Sequence, residues 1–380
     1  MSKPLRGTVH LPGSKSESNR ALMMAAYGGF PLEAENLSDA HDTVLLKKLL
    51  ELTSLRGGTT KQSIVNCEDA GTVARFMMTY LACKPGTWLL TGTDRLCQRP
   101  IAPLIDALRQ LGADIKGESL PLQIKGKPLK GGQVTLDASQ SSQFASSLLM
   151  AAPTWERGLQ LTLTGQLVSG PYLDMTIKMM EHFGVQVVRD GNVIAVAPQP
   201  YQPRPFVVEA DWSAASYWYE MMALSDNGEL FLEGLRPHSL QGDAVVAEWF
   251  KPLGVATTFE PSGARLSKIP VRPQNLVFDF THSPDLFPAV YATCFALGLE
   301  ADFKGTESLS AKESDRFSVM RSAMAHMGEG RVFCAHGDHR IAMALASLWP
   351  KYGPIEVDHP AVVGKSYPGF WEALRTVRSW

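Results

Sequence analysis

The sequence predicts an α/β protein of two domains, each built from three copies of a helix–strand–helix–hairpin unit. Three observations carry this reading. The chain has 380 residues, too many for one ordinary core. A small or polar start followed by an apolar, Ala/Met-rich helix recurs six times. A short strand and a second, amphipathic helix follow each time, and strand pairs around turn residues read as hairpins.

In chain order the first set of helices is "KSESNRALMMAA", "AGTVARFMMTYLA", "SSQFASSLLMAAP", "WSAASYWYEMMALS", "SPDLFPAVYATCFALG" and "DHRIAMALASLW". Few charges lie on any face of them, which predicts burial on all sides. The second set is "DTVLLKKLLELTS", "PIAPLIDALRQLG", "YLDMTIKMMEHFG", "GDAVVAEWFKPLG", "ESDRFSVMRSAMAHMG" and "GFWEALRTVRSW", and four of these end in Gly, a common helix stop. "VQVVRD" and "NVIAVAP" around "DG" read as a hairpin. Prolines in "QPYQPRPFVVEADWS" suggest the domain boundary. The strand "GTVHLPG" has no helix before it and is expected to complete the C-terminal half. The expected domains are therefore 14–208, and 1–13 with 209–380.

Composition excludes several classes. The chain is 45% hydrophobic and 19% charged, with a formal net charge of −2. That balance argues against a nucleic-acid or membrane-surface role, which needs a basic face. No apolar run approaches the ~20 residues of a membrane span. The start of the chain lacks an apolar signal core, so a cytoplasmic location is expected. The five cysteines form no CxxC pair and read mostly as small buried hydrophobes. His336 and His339 with Asp338 come nearest to a metal set, and no metal is expected there. The absence of GxxxxGK[ST], of GxGxxG after a strand and of GxSxG disfavours a nucleotide triphosphatase, a dehydrogenase and a serine hydrolase.

The starts of the buried helices carry the functional signal. Capping accounts for Ser213 and Asp285. It does not account for Lys15, Arg20 and Arg75, because cations there oppose the helix dipole. A bound anion resolves the conflict. The loops entering the amphipathic helices add Arg99, then Ser169, Tyr172 and Asp174, then Lys312, Glu313 and Arg316, and finally Lys365. Taken singly, Lys312, Glu313 and Arg316 read as a solvated helix start and Lys365 as a surface lysine. Together, Lys15, Arg20, Arg99, Lys312, Arg316, Arg340 and Lys365 occupy equivalent places in successive units. Such a set suits a polyanionic substrate pair, with arginines gripping phosphate and carboxylate. Asp285 or Glu313 could then move protons.

The chain resembles the 5-enolpyruvylshikimate-3-phosphate (EPSP) synthase family, 3-phosphoshikimate 1-carboxyvinyltransferases, from end to end. The matching stretches, in the family's order, are "LPGSKSESNRAL", "AGTVARF", "QRPI", "SSQFASSLLMAAP", "LVSGPYLD", "SAASYW", "PDLFPA", "KESDR", "GDHRIAMA" and "GKSYPGF". The resemblance implies an inside-out α/β barrel in each of two domains, three βαβαββ units apiece, with the active site in a cleft that closes on shikimate 3-phosphate. It implies an enzyme of the shikimate pathway, leading to chorismate and the aromatic amino acids. The enolpyruvyl group of phosphoenolpyruvate passes to the substrate's 5-hydroxyl by addition and elimination, and phosphate is released. No cofactor, metal, nucleic acid or membrane partner is implied, and a monomer is expected. Glyphosate is expected to occupy the phosphoenolpyruvate site.

By motif position the resemblance assigns Lys15, Ser16, Arg20, Ser141, Ser142, Gln143, Ser169, Tyr172, Asp285 and Lys312 to shikimate 3-phosphate. It assigns Lys15, Gly71, Arg99, Gln143, Arg316, Arg340 and Lys365 to phosphoenolpyruvate. Asp285 would take the proton of the attacking hydroxyl, and Glu313, sharing the role with Lys15, would protonate the methylene. Four departures stand out. Asp69 replaces the family's Asn, and Phe76 its Pro, which is expected to shift the first turns of that helix. Ser308–Ala311 replace Asn-x-Arg-x, and the stretch between the fifth and sixth units is about one hairpin short. Two alternatives share the fold. One is the sister transferase acting on UDP-N-acetylglucosamine, whose reactive loop cysteine would correspond most nearly to Cys97. The other is a non-catalytic binding protein.

Overall fold

A computed structural model describes residues 4–56, 62–327 and 332–377. The chain divides into two compact units, one of residues 15–37 and 42–208, the other of residues 1–14, 38–41 and 209–380. We call them the Arg20 unit and the Arg316 unit. Each has its own apolar core.

The complete repeat is clearest in the Arg20 unit. Strand Ser63–Asn66 leads through helix Gly71–Cys83 to the parallel strand Gly86–Thr91. Helix Ala102–Gln110 follows, and the hairpin Asp114–Lys116 with Leu122–Gly126 closes a four-stranded sheet. Strands Gly132–Asp137, Leu159–Thr164, Val187–Asp190 and Val193–Val196 repeat this order around helices Ser142–Ala151 and Gly170–His182. In the Arg316 unit the N-terminal strand Leu5–His10 lies parallel to Gly228–Glu233, with Leu5 opposite Gly228. The hairpin Val255–Glu260 with Gly263–Lys268 completes that sheet.

The rhythm predicts a hairpin in every unit. Among the described residues the other three repeats carry only a short parallel pair: Ala34–Glu35 with Phe206–Val207, Val277–Asp279 with Asp302–Lys304, and Val332–Phe333 with Glu356–Val357. Gly328, read as a helix stop, and much of the short stretch after it lie outside the described residues.

Burial follows the pattern of each element. All of Trp212–Leu224 is buried, as is nearly all of Gly71–Cys83, as expected of helices apolar on every side. These helices pack on one another, Ser142–Ala151 on Gly170–His182 and on Gly71–Cys83, and Phe287–Leu297 on Trp212–Leu224. The sheets cover them. Strand Gly132–Asp137 alternates, with Val134 and Leu136 buried and Gln133 and Thr135 exposed, the signature of one wetted face. Cys67 and Cys294 are buried, Cys83 and Cys97 half-buried and Cys334 exposed. Among the described residues no helix is long and apolar enough to cross a membrane.

Candidate active site

In the Arg20 unit, helix Lys15–Gly28 delivers Arg20 into the interior, where it is 2% exposed. Its Nε donates to Thr176 Oγ1 at 2.7 Å and its Nη1 to the Ser16 carbonyl at 3.0 Å. Its Nη2 donates to the Tyr172 carbonyl at 3.2 Å and to Ser146 Oγ at 3.4 Å. The guanidinium also meets the rings of Phe76 and Tyr172. Burial lowers its pKa to about 10, so it stays charged at neutral pH. Lys15, one turn earlier, donates to Asp42 Oδ2 at 3.0 Å.

A second group forms where helix Gly71–Cys83 meets helix Ser142–Ala151. Arg75 donates through Nη1 to Gln143 Oε1 at 3.0 Å and through Nη2 to the Pro100 carbonyl at 3.2 Å. Gln143 Nε2 donates to Thr72 Oγ1 at 3.0 Å. Gly71 lies against both arginines. A Cβ there would overlap Arg99 Nη1 and fall 2.7 Å from Arg75 Nη1. Only a residue without a side chain allows two guanidinium groups so close to the backbone.

Ser141 caps the helix by accepting from Gln143 N at 3.3 Å, and Ser142 is buried behind it. Ser146 and Ser147 of the same helix reach Arg20 and the Arg75 carbonyl. One helix therefore links the Arg20 group to the Gly71–Arg99 group. Ser169 holds a left-handed backbone (φ 54°) just before helix Gly170–His182, and its carbonyl accepts from Tyr172 N. Asp174 is instead an exposed partner of Arg189 at 2.6 Å.

The Arg316 unit gathers Asp285, Lys312, Glu313, Arg316 and Arg340 into one cluster. Arg316 Nη1 is 2.7 Å from Asp285 Oδ1, and Arg340 Nη2 is 2.7 Å from Asp285 Oδ2. Lys312 Nζ lies 3.6 Å from Asp285 Oδ1, and Glu313 Oε2 accepts from Arg316 Nη2 at 2.8 Å. Asp338, fully buried, accepts from Arg316 Nε at 2.8 Å and from Ser314 Oγ, and caps Arg340 N at 2.9 Å. Burial alone would raise the Asp285 carboxyl, but Arg340, Lys312 and Arg316 outweigh it and hold it well below the usual carboxylate range. Burial pulls the Arg316 pKa down, yet Asp338, Glu313 and Asp285 raise it above the ordinary arginine value. Lys365, 5% exposed, ends the 3₁₀ turn Pro360–Lys365 that packs on helix His339–Ser347.

Three readings need correction. Ser213 is not the cap of its helix. Asp211 is, accepting from Ala214 N at 2.9 Å, while the Ser213 hydroxyl donates to buried Asp243. Asp285 does not cap either, because its two oxygens are taken by arginines. Lys365 is no surface lysine.

Asp243, Asp338 and Asp42 were not expected in the site from sequence, and Arg75 had no expected partner. Burial, with Asp285 nearby, raises the Asp243 carboxyl to about 6. The "GDHR" stretch carried a signal for Asp338, an acidic residue directly before a buried helix. Asp243 had none. Cys97 is half-buried, its thiol on the Gly92 carbonyl at 3.7 Å, which does not suit a reactive cysteine on a mobile loop.

A profile of the family described as EPSP synthase (3-phosphoshikimate 1-carboxyvinyltransferase) matches residues 1–374. A 3-phosphoshikimate 1-carboxyvinyltransferase of Bacteroides fragilis is 41% identical, with 98% of this chain and 95% of the relative covered. One from Methanospirillum hungatei is 32% identical, with 98% and 96% covered. The solved EPSP synthase of Acinetobacter baumannii superimposes with a TM-score of 0.76 at 22% identity, covering 100% of this chain and 97% of that one. The fold is thus that of the two-domain α/β EPSP synthases, and the chain belongs to the EPSP synthase family.

Proposed function

We propose that the clusters of the two units carry out the family's reaction in this chain. The reaction transfers the enolpyruvyl group of phosphoenolpyruvate to the 5-hydroxyl of shikimate 3-phosphate in aromatic amino acid biosynthesis. Ser16, Arg20, Ser141, Ser142, Gln143, Ser169 and Tyr172 bind shikimate 3-phosphate, together with Lys15, Asp285 and Lys312. Lys15, Gly71, Arg99, Gln143, Arg316, Arg340 and Lys365 bind phosphoenolpyruvate. The enzyme works in the cytoplasm as a monomer.

One observation supports these roles above the others. Arg316 and Arg340 each take one oxygen of the same carboxylate, that of Asp285. This is how two guanidinium forks grip a carboxylate, and phosphoenolpyruvate brings one. A carboxyl held so far below its usual range is a weak base. When the substrate carboxylate draws the forks to itself, Asp285 keeps only Lys312 of its three cations and its basicity rises. Asp285 then accepts the proton of the 5-hydroxyl as that oxygen attacks C2 of phosphoenolpyruvate. Glu313, with Lys15, delivers a proton to C3. In the elimination Glu313 takes a proton back from C3, the C2–O bond to phosphate breaks, the proton held by Asp285 leaves with the phosphate, and the enol ether double bond is restored.

The test is phosphate release from phosphoenolpyruvate by the purified protein. Release with shikimate 3-phosphate and none with UDP-N-acetylglucosamine is expected. Release with the nucleotide sugar alone, or with neither, would overturn the proposal.

A further inference from the structure

The pocket chemistry absorbs Gly71 and Arg75 of helix Gly71–Cys83 but leaves Phe76 without a role. Phe76 is fully buried, and its ring centroid lies 5.7 Å from Arg20 Cζ, with the Tyr172 ring at 6.0 Å. The hydrogen bonds of Arg20 run to Thr176, Ser16, Ser146 and Tyr172. N–H groups of a guanidinium lie in its plane, so these bonds fix its rotation within that plane. They resist tilting far less. A ring set against the guanidinium supplies that restraint, because its electron-rich face attracts the cation, most strongly where water is excluded.

We propose that Phe76 is a positioning residue for Arg20, setting the tilt of the guanidinium that receives shikimate 3-phosphate. In this chain shikimate 3-phosphate affinity therefore depends on an aromatic face set against Arg20. Phe76 also stands on the helix that carries Gly71, Thr72 and Arg75. The same rigid element therefore orients Arg20 and forms the backbone of the Gly71–Arg99 group. The proposal rests on the assignment of Arg20 to shikimate 3-phosphate.

Two sets of variants test it by calorimetric titration with shikimate 3-phosphate and by steady-state kinetics. Phe76→Leu, which removes the ring, should raise Kd and KM for shikimate 3-phosphate about fivefold to tenfold. It should leave KM for phosphoenolpyruvate and kcat nearly unchanged, and Phe76→Tyr should restore the affinity. Mono-, di- and trifluorophenylalanine at position 76 keep the ring's shape while draining its face, so they test the proposal even if Phe76→Leu fails to fold. Affinity should fall stepwise with each fluorine. A flat fluorine series, or a Phe76→Leu loss shared equally by both substrates, overturns the role of Phe76. Arg20→Lys separates the two layers. If it weakens shikimate 3-phosphate while the fluorine series is flat, only the Phe76 role fails. If Arg20→Lys also leaves that affinity unchanged, the assignment of Arg20 fails.

Discussion

Arg20 in one unit and Arg316 in the other are both buried arginines near the start of a helix, and their surroundings have opposite chemistry. Arg20 is met by hydroxyls, carbonyl oxygens and aromatic rings, with the Glu17 carboxylate a lesser influence on its charge. Arg316 is met by three carboxylates, Asp285, Glu313 and Asp338. Burial depresses the pKa of Arg20 to about 10, whereas the carboxylates lift that of Arg316. The difference teaches how each can treat an anion. A guanidinium held mainly by neutral dipoles keeps most of its charge for an incoming phosphate. One already neutralised can bind a new carboxylate only by exchange, and the exchange releases a base.

The largest effect belongs to the exchange. Asp285→Ala should lower kcat by about 10²–10⁴-fold, the usual contribution of a positioned acid or base, while shikimate 3-phosphate still binds in a calorimetric titration. Turnover like that of the parent protein would remove Asp285 from the chemistry and leave the cluster a purely structural ion pair.

Stability should separate the two arginines next. Asp338→Ala strips Arg316 of a fully buried partner, and breaking a buried pair costs about 3–5 kcal/mol. Thr176→Val removes one neutral acceptor from Arg20, a loss of about 1.5–3 kcal/mol for a hydrogen bond to a charged group. Denaturant midpoints compare them directly. Equal losses would mean that the two settings are energetically alike, contrary to the comparison.

Gly71→Ala probes the arginines of the Arg20 unit from the backbone side. The added methyl meets the flexible ends of Arg99 and Arg75, so the fold should survive while the anion grip shifts. Overpacking of this kind costs about 1–3 kcal/mol, and glyphosate inhibition should weaken by about fivefold or more. The inhibition constant against phosphoenolpyruvate, measured for both proteins, checks this. A parent enzyme already insensitive to glyphosate would point to Asp69 and Phe76 as the residues to exchange.

The smallest effect comes from a carboxyl that meets no cation among the described residues. Glu220 is fully buried in helix Trp212–Leu224, and among the described residues neither oxygen has a hydrogen-bond partner. Burial raises its pKa well above the ordinary 4.5, the reverse of Asp285 in the same unit. A carboxyl raised on folding binds its proton more tightly in the native state. Its contribution is therefore fully favourable below about pH 4.5 and is lost as pH rises toward the folded-state value. Glu220→Gln, neutral at every pH, should melt a few degrees higher than the parent near pH 8, with the gap closing toward pH 4. A gap independent of pH would show that Glu220 has found a partner or stays ionised.

Local sequence determined the rhythm of this protein. The apolar helices, their polar starts and the residue types at each loop are set by propensity, periodicity and capping, which act over a few neighbours. The motif order placed the chain in its family for the same reason. Among the described residues three repeats carry no hairpin, and the sequence hinted at this only for the fifth, from its length. The first and sixth were not legible, because a two-residue parallel strand leaves no pattern to read.

Tertiary structure decided the pairing of the charges. Arg316 finds Asp285 31 residues away and Asp338 22 residues away, and Arg20 reaches Thr176 across 156 residues. Asp243, Arg75 and Phe76 joined these groups for the same reason. Nothing local distinguishes a carboxylate that will face two arginines from one that will cap a helix. The choice is made when packing brings distant elements within the few ångströms over which a hydrogen bond or an ion pair acts.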